Sequence, residues 1–224
     1  MVPVRAPLSQ RSRNIGAKQA PGSHEQSFGL THASCNRSKG ASNLEIARRL
    51  AEFERLQAQA QEAGRRGANL GDVLARHGGA KALLRIRREA AHVEYVLSAI
   101  GNNDIHKSPI YHDKLSGMNS FFCDLPLEYL HHDDRINPRS IGANIRGLIE
   151  EFQHKRPQLH VGLAWWAPEH DGAGPVKVFD GQHKAAAQIL LGARELPVRV
   201  FVEPDVNVLL QANQCGRQVA PGRL

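Results

Sequence analysis

The sequence predicts a mixed α+β fold, and three observations lead to that prediction. A periodic apolar stripe between residues 44 and 62 is typical of an amphipathic helix, because every third or fourth residue lies on one helix face. After residue 120, short apolar runs alternate with helical segments, which indicates strands packed with helices. Since 41% of the 224 residues are hydrophobic and only 5% are aromatic, the chain can build a core that is largely aliphatic.

The first helix has a defined start and a defined face. Ser42 and Glu45 fit a capping box, in which each side chain accepts a hydrogen bond from the other residue's free backbone N–H group. Gly64 is the expected end of the helix. Its expected buried face is Ile46, Leu50, Phe53, Leu56 and Ala60.

Residues 63–120 are predicted to be a long helical connector between two domains. Glycines surround a short apolar stretch at residues 64–79, and a second long helix is expected to end at Gly101. Its expected apolar face is Leu83, Ile86, Ala90, Val93, Leu97 and Ile100, and its basic face is Lys81, Arg85, Arg87 and Arg88.

Residues 121–210 are predicted to form a small α/β or α+β domain, followed by a truncated polar tail at residues 211–224. A strand or turn is expected in the apolar run that opens the domain, at residues 121–130. The other expected elements are strands at 159–166, 176–179 and 197–202, and helices at 144–152 and 184–191.

The positive charge is concentrated near the start of the chain. The formal net charge is +7, and residues 1–50 carry eight Arg or Lys side chains against two Glu. A segment of this kind either neutralises nucleic-acid phosphates or forms a solvated leader, and composition leaves both interpretations open. Three widely separated cysteines, no signal-peptide core and no apolar run of about 18 residues predict a cytoplasmic protein without a membrane partner.

The most specific pattern of the first half is the run LTHASCNRSKG at residues 30–40. It resembles the closing part of the HNH nuclease motif, in which a β-hairpin and a helix hold a divalent metal ion against the scissile phosphate of DNA. The resemblance implies that residues 1–62 are a partial ββα-metal element. It also implies hydrolysis of DNA phosphodiester bonds with Mg²⁺ or another divalent metal ion, since the cation absorbs developing negative charge.

On this resemblance, Asn36 takes the final metal-ligand position and His32 is a candidate catalytic residue. Ser27 stands where the family has the asparagine that orients the general base, and its shorter side chain is a poorer orienting group. The alternative is that His32 and Cys35 only pack in a turn before the helix. A structural zinc site is not expected, because no upstream cysteine pair completes a tetrahedral set.

The family motif opens with an Asp-His pair, whereas this chain opens Met1-Val2-Pro3, which resembles the residues after that pair. The general-base histidine is therefore expected to be missing. Two interpretations stay open. One is an HNH-type endonuclease of bacterial DNA modification or defence whose longer product is active. The other is a catalytically inactive module that binds nucleic acid or a nucleotide. The expected DNA-binding cations are Arg37, Lys39, Arg48 and Arg49.

A second pattern, at residues 176–187, predicts a strand, a turn and a helix. A glycine turn before a helix leaves free N–H groups at the positive end of the helix dipole, an arrangement that binds phosphate. The ordinary alternative is a structural turn in which Asp180 caps the helix. The candidate phosphate-binding residues of this turn are Asp180, Gly181, Gln182, His183 and Lys184.

This run is similar to the DGQHR signature of ParB/sulfiredoxin-like domains, which include regulators linked to DNA phosphorothioation. The segment RINPR at residues 135–139 is similar to their opening motif, which adds Arg139 to the candidate phosphate-binding residues and extends the resemblance over about residues 122–203. Lys184 keeps the charge of the signature's arginine but not its bidentate geometry. Gln182 stands where sulfiredoxins have their catalytic cysteine, which excludes that reductase chemistry. The implied partners are DNA and a nucleoside triphosphate, and the oligomeric state is not predicted.

Two further groups allow more than one interpretation. The cluster at residues 131–135, HHDDR, has the composition of a metal site, but neighbouring residues point in different directions, so a solvated or phosphate-facing loop is expected. Trp165 and Trp166 are expected to pack within a strand rather than to stack on nucleic-acid bases.

Overall fold

The computed structural model describes residues 44–158 and 160–218, with side chains described through residue 212. The fold is α+β, as the sequence predicts. The described α-helices are α1 (Leu44–Glu62), α2 (Leu70–His77), α3 (Ile145–Gln153), α4 (Gln182–Leu190) and α5 (Val206–Gln218). Among them, none is both long enough and apolar enough to cross a membrane.

The strands form two sheets. The four-stranded sheet has the order β3-β2-β1-β8 and is antiparallel, and the six-stranded sheet has the order β4-β5-β10-β7-β9-β6 and is mixed. The strands are β1 (Leu84–Arg88), β2 (His92–Val96), β3 (Ile105–Pro109), β4 (Tyr111–His112), β5 (Asn119–Pro126), β6 (Leu130–His132), β7 (Gly162–Trp166), β8 (Ala173–Gly174), β9 (Val176–Asp180) and β10 (Glu195–Val202).

Helix α1 confirms the clearest helix prediction of the sequence. Its buried residues are the five apolar residues of the predicted stripe. The helix ends at Glu62, two residues before Gly64, which has a positive φ of 77°. The predicted cap residue Ser42 lies outside the described residues.

The predicted long helix at residues 83–100 is wrong. Strands β1 and β2 pair there as an antiparallel hairpin, followed by one turn of 3-10 helix at Ser98–Ile100. In β1, Leu84 and Ile86 are buried while Arg85 and Arg87 are exposed, which is the two-residue period of a strand. Residues 63–120 are therefore not a helical connector, because they contain α2 and most of the four-stranded sheet. The domain boundaries at 62, 120 and 210 remain predictions.

The second half follows its predicted element order closely. Each strand and helix expected between residues 144 and 202 is present within a few residues of its expected bounds. The prediction of a polar tail at residues 211–224 is wrong in part, because helix α5 continues through Gln218. Residues 219–224 lie outside the described residues.

One feature of the six-stranded sheet positions the candidate site. Strands β6 and β9 pair in parallel, with Leu130 opposite Val176 and His132 opposite Val178. Because parallel strands end at the same edge of a sheet, the segment after β6 and the turn after β9 meet there. Helices α3 and α4 pack together beside this edge, and their apolar faces, including Ile149 and Ile189, join the main core.

Candidate functional site

The turn between β9 and α4 depends on Gly181. Gly181 has φ +79° and ψ 12°, which is the left-handed region that favours glycine. A Cβ atom on Gly181 would lie 3.0 Å from the Cα atom of Gly162 in the neighbouring strand β7. Gly181 is therefore required both by its backbone conformation and by the close approach of two chain segments.

The N-terminus of α4 has no side-chain cap. The first intrahelical hydrogen bond runs from the Ala185 amide to the Gly181 carbonyl, at 3.0 Å, so the preceding amides of residues 182–184 have no helical acceptor. Asp180 is exposed, and no described hydrogen bond joins its carboxylate to the helix. The interpretation in which Asp180 caps α4 is therefore wrong, and the helix end is open to a ligand.

Two buried amide side chains join the turn to the segment after β6. Asn137 donates from Nδ2 to the Phe179 carbonyl at 3.0 Å, and Gln182 donates from Nε2 to the Asn137 carbonyl at 3.2 Å. Gln182 lines the site, but its side chain is 3% exposed and its Nε2 is already bonded. Its amide therefore holds the wall of the site together.

His183 is held as a neutral side chain. Its Nε2 accepts a hydrogen bond from the Gly142 amide at 2.9 Å, which requires that Nε2 carry no proton. Burial, and then the positive charge of Arg139, lowers the pKa of His183 below its ordinary value. His183 therefore offers a neutral N–H donor at Nδ1 rather than a cation at neutral pH.

A cavity of about 350 Å³ opens over the helix N-terminus. Arg139 and Lys184 line it, and neither forms a salt bridge with a described carboxylate; Asp180 is the acidic residue on the wall. The complete lining is Asn137, Arg139, Asn144, Leu148, His160, Val161, Asp180, Gly181, Gln182, His183 and Lys184. All six residues that the sequence assigned to phosphate binding are brought together here.

A second cavity, of about 910 Å³, adjoins the first and shares Arg139 and His183 with it. Arg65 and Arg66 lie on its wall. Arg65 forms two hydrogen bonds of 2.7 Å with the carboxylate of Asp72, whereas Arg66 is exposed and has no described salt bridge. The two cavities together form a groove in which positive side chains outnumber acidic ones.

Comparisons with known proteins leave the family of this chain open. No family model matches the chain, and no curated protein matches it. One solved structure with a detectable likeness is the C-terminally truncated chromosome-partitioning protein ParB from Caulobacter crescentus complexed with CTP-gamma-S. Sequence identity is 19%, the TM-score is 0.36, and the match covers 46% of this chain and 55% of that chain. A likeness this weak carries no argument, so the HNH-like and ParB-like assignments remain predictions.

The HHDDR cluster is only in part the solvated or phosphate-facing loop that was expected: Asp134 and Arg135 are exposed in a turn, whereas Asp133 is buried and structural. Asp133 is 3% exposed and accepts hydrogen bonds from Trp165 Nε1 at 2.7 Å and from the Arg135 amide at 2.9 Å. Burial alone would raise the pKa of Asp133, but these hydrogen bonds outweigh it and the pKa is lowered. Within residues 44–158 and 160–212, no group of three His, Cys, Asp or Glu side chains is arranged to hold a metal ion.

Both tryptophans pack within the fold, as predicted. Trp165 is bonded to Asp133, and Trp166 donates from Nε1 to the Leu84 carbonyl at 2.8 Å. Each is less than 7% exposed, so neither ring face is open to a nucleic-acid base.

Of the predicted nuclease residues, the structure describes Arg48 and Arg49, and these two are not part of this site. Arg48 is exposed on α1, and Arg49 lies on the same helix 3.8 Å from Glu45. Neither lines either cavity. The other predicted residues of that motif lie outside the described residues: Ser27, His32, Asn36, Arg37 and Lys39.

Sequence reasoning missed several residues of the cavity wall. Asn137 belongs to the RINPR segment, so the segment was found without its buried amide being recognised. Asn144 and Leu148 at the start of α3, and His160 and Val161 before β7, carry no local pattern that distinguishes them from other surface residues.

Proposed function

We propose that the described part of this chain is a binding module for a phosphate-bearing ligand, either a nucleotide or a nucleic-acid strand. The observation that carries the proposal is the uncapped N-terminus of α4, which opens into a cavity with Arg139 and Lys184 on its wall. Free amides at the positive end of a helix dipole bind phosphate oxygens, and neighbouring cations strengthen such hydrogen bonds.

Asp180 is the main physical objection, because its carboxylate would repel a bound phosphate. Two cations on the wall outweigh that single charge. A carboxylate beside phosphate oxygens is also a common arrangement for Mg²⁺, which is held by one or two protein carboxylates together with a nucleoside triphosphate. Asp180→Asn separates the two cases. If the carboxylate only repels, the variant binds nucleotide more tightly with or without Mg²⁺; if it holds Mg²⁺, the variant binds less tightly when Mg²⁺ is present.

Calorimetric titration of the full chain with ATP, CTP, GTP and a short DNA duplex tests the proposal. Lys184→Ala is expected to weaken the binding of the preferred ligand roughly tenfold, the effect of losing one charge-assisted hydrogen bond of about 1.4 kcal/mol. Lys114→Ala is the matched control, because Lys114 is exposed and lines neither cavity. If no nucleotide or DNA binds, or if Lys184→Ala and Lys114→Ala lose affinity equally, the cavity is not the binding site.

The adjoining cavity favours a ligand longer than a nucleoside monophosphate. Arg66 and Arg139 lie on its wall, beyond the helix end that would receive the first phosphate. A nucleoside triphosphate or a nucleic-acid strand can reach both cavities, so we expect affinity to rise from monophosphate to triphosphate. Arg66→Ala should reduce that rise and leave monophosphate binding unchanged.

A second candidate function is metal-dependent DNA cleavage of the HNH type, and the motif at residues 30–40 is the observation that favours it. Asn36 is the proposed metal ligand. Because the general-base histidine of the motif is expected to be missing, the chain as written should nick supercoiled plasmid little or not at all with Mg²⁺. The assay therefore uses a version extended at its start by Asp-His, with Asn36→Ala as the test and Asn43→Ala as a nearby matched control. Cleavage lost only in Asn36→Ala would support the assignment. Cleavage that both variants retain would place the chemistry elsewhere or in a contaminant.

A further inference from the structure

A buried acceptor without a partner lies in the wall of the proposed binding site. Asn137 is 6% exposed and lines the cavity above α4. Its Oδ1 is buried and has no hydrogen-bond partner among the described residues. Such atoms are rare in folded proteins, because each has given up its bond to water without a replacement.

The orientation of this amide is determined by its other end. Nδ2 donates to the Phe179 carbonyl at 3.0 Å. Rotating the amide by 180° would bring two oxygens together and break that bond, so Oδ1 is the atom left free.

Two donors in the wall of the site form hydrogen bonds with acceptors other than Oδ1. Gln182 Nε2 donates to the backbone carbonyl of Asn137 rather than to its side chain. The Asn137 amide donates to the Asp133 carbonyl at 3.2 Å. Neither bond satisfies Oδ1, and because Asn137 lines the cavity, a donor on a molecule bound there would complete it.

We infer that Asn137 Oδ1 is a specificity-determining acceptor that receives an N–H or O–H group of the ligand bound at the N-terminus of α4. This inference rests on the proposed function and adds a requirement to it. The ligand carries two features: a phosphate for the free amides of α4, and a hydroxyl or amino donor for Asn137. Leu148 and Val161 on the same wall suit the apolar part that joins them. Inorganic phosphate supplies only the first feature and is expected to bind weakly.

Pairs of nucleotides whose donors differ test the inference on the unmodified protein. In CTP against UTP, and in ATP against inosine triphosphate, a carbonyl oxygen replaces the exocyclic amino group, and the donor moves to the neighbouring ring nitrogen. In ribonucleotide against 2′-deoxyribonucleotide, a hydroxyl is removed. At least one pair is expected to differ by tenfold or more, because a site built to bond a polar group discriminates strongly against its absence.

Asn137→Ala should reduce that difference to less than threefold. Asn144→Ala is the matched control: Asn144 lines the same cavity but is exposed, so its loss should affect both members of a pair equally. A difference that persists in Asn137→Ala would overturn the inference, as would equal binding of every pair by the unmodified protein. If no ligand in the series binds, the proposed function itself fails, which is a distinct result.

A second measurement covers the case in which Asn137→Ala does not fold. In ¹⁵N-labelled unmodified protein, the side-chain NH₂ signals of Asn137 should shift more with the donor-bearing nucleotide of the discriminated pair than with its partner. Equal shifts with both nucleotides would show that the donor is recognised elsewhere.

Discussion

Replacing Gly181 with alanine separates the two reasons why glycine is needed at the β9–α4 turn. The left-handed conformation of Gly181, at φ +79°, costs about 1–2 kcal/mol for a residue with a Cβ atom. The new Cβ would also lie 3.0 Å from the Gly162 Cα atom, and a backbone neighbour cannot rotate away. Forcing an extra carbon into such a contact costs a further 1–3 kcal/mol or so.

Gly101→Ala is the control for the first cost. Gly101 has nearly the same backbone conformation, with φ 77° and ψ 5°, but no atom lies within 4 Å of its added Cβ. The free energy of unfolding, measured with urea, should therefore decrease by about 1–2 kcal/mol in Gly101→Ala and by roughly 2–5 kcal/mol in Gly181→Ala. In thermal unfolding, each kcal/mol corresponds to roughly 2–4 °C of Tm.

One outcome of comparing Gly181→Ala with Gly101→Ala would refute the reasoning. Equal losses of stability in the two variants would mean that β7 does not approach the turn, and the described geometry of the cavity would be refuted. A larger loss in Gly181→Ala accompanied by loss of nucleotide binding would connect the close approach to the site.

Three further predictions concern pH, charge and a buried bond. Because the pKa of His183 is lowered on folding, its contribution to stability is complete above about pH 6.5 and is lost as pH falls through the folded pKa. The unfolding free energy of the unmodified protein should therefore decrease more between about pH 7.5 and 5.5 than that of His183→Gln. Equal decreases in the two proteins would contradict this prediction. Neutralising all four predicted DNA-binding cations, Arg37, Lys39, Arg48 and Arg49, should lower DNA affinity. It should also reduce the slope of the logarithm of the DNA-binding constant against the logarithm of salt concentration by up to about four, since each phosphate contact releases roughly one counterion. An unchanged slope would mean that these cations are only solvated and do not contact DNA. Trp165→Phe removes the 2.7 Å hydrogen bond to buried Asp133 and should cost about 1–3 kcal/mol of unfolding free energy in urea, and a change below about 0.5 kcal/mol, the usual size for a surface substitution, would show that this bond is not needed.

Local sequence patterns were sufficient to predict secondary structure where a single hydrophobic period dominates. The stripe of α1 repeats over nineteen residues, so its buried face followed directly from the sequence. The same reasoning failed at residues 83–100, because a few apolar residues there fit both the helical and the strand period. The pairing of β1 with β2 and β8 decided between them, since strand pairing provides hydrogen bonds that the local sequence does not reveal.

The candidate site also has features that local sequence predicted and features that depend on the tertiary structure. The sequence by itself determined the strand–glycine–helix turn and the cations beside it, because a left-handed glycine and a helix start are local properties of the chain. Only the tertiary structure decided the hydrogen bond between Gly142 and His183, 41 residues apart, and the bond between Asn137 and Phe179, 42 residues apart. Both contacts exist because β6 and β9 pair in parallel and end at the same edge of the sheet. The neutral state of His183 and the unpaired oxygen of Asn137 follow from that pairing, which no local pattern specifies.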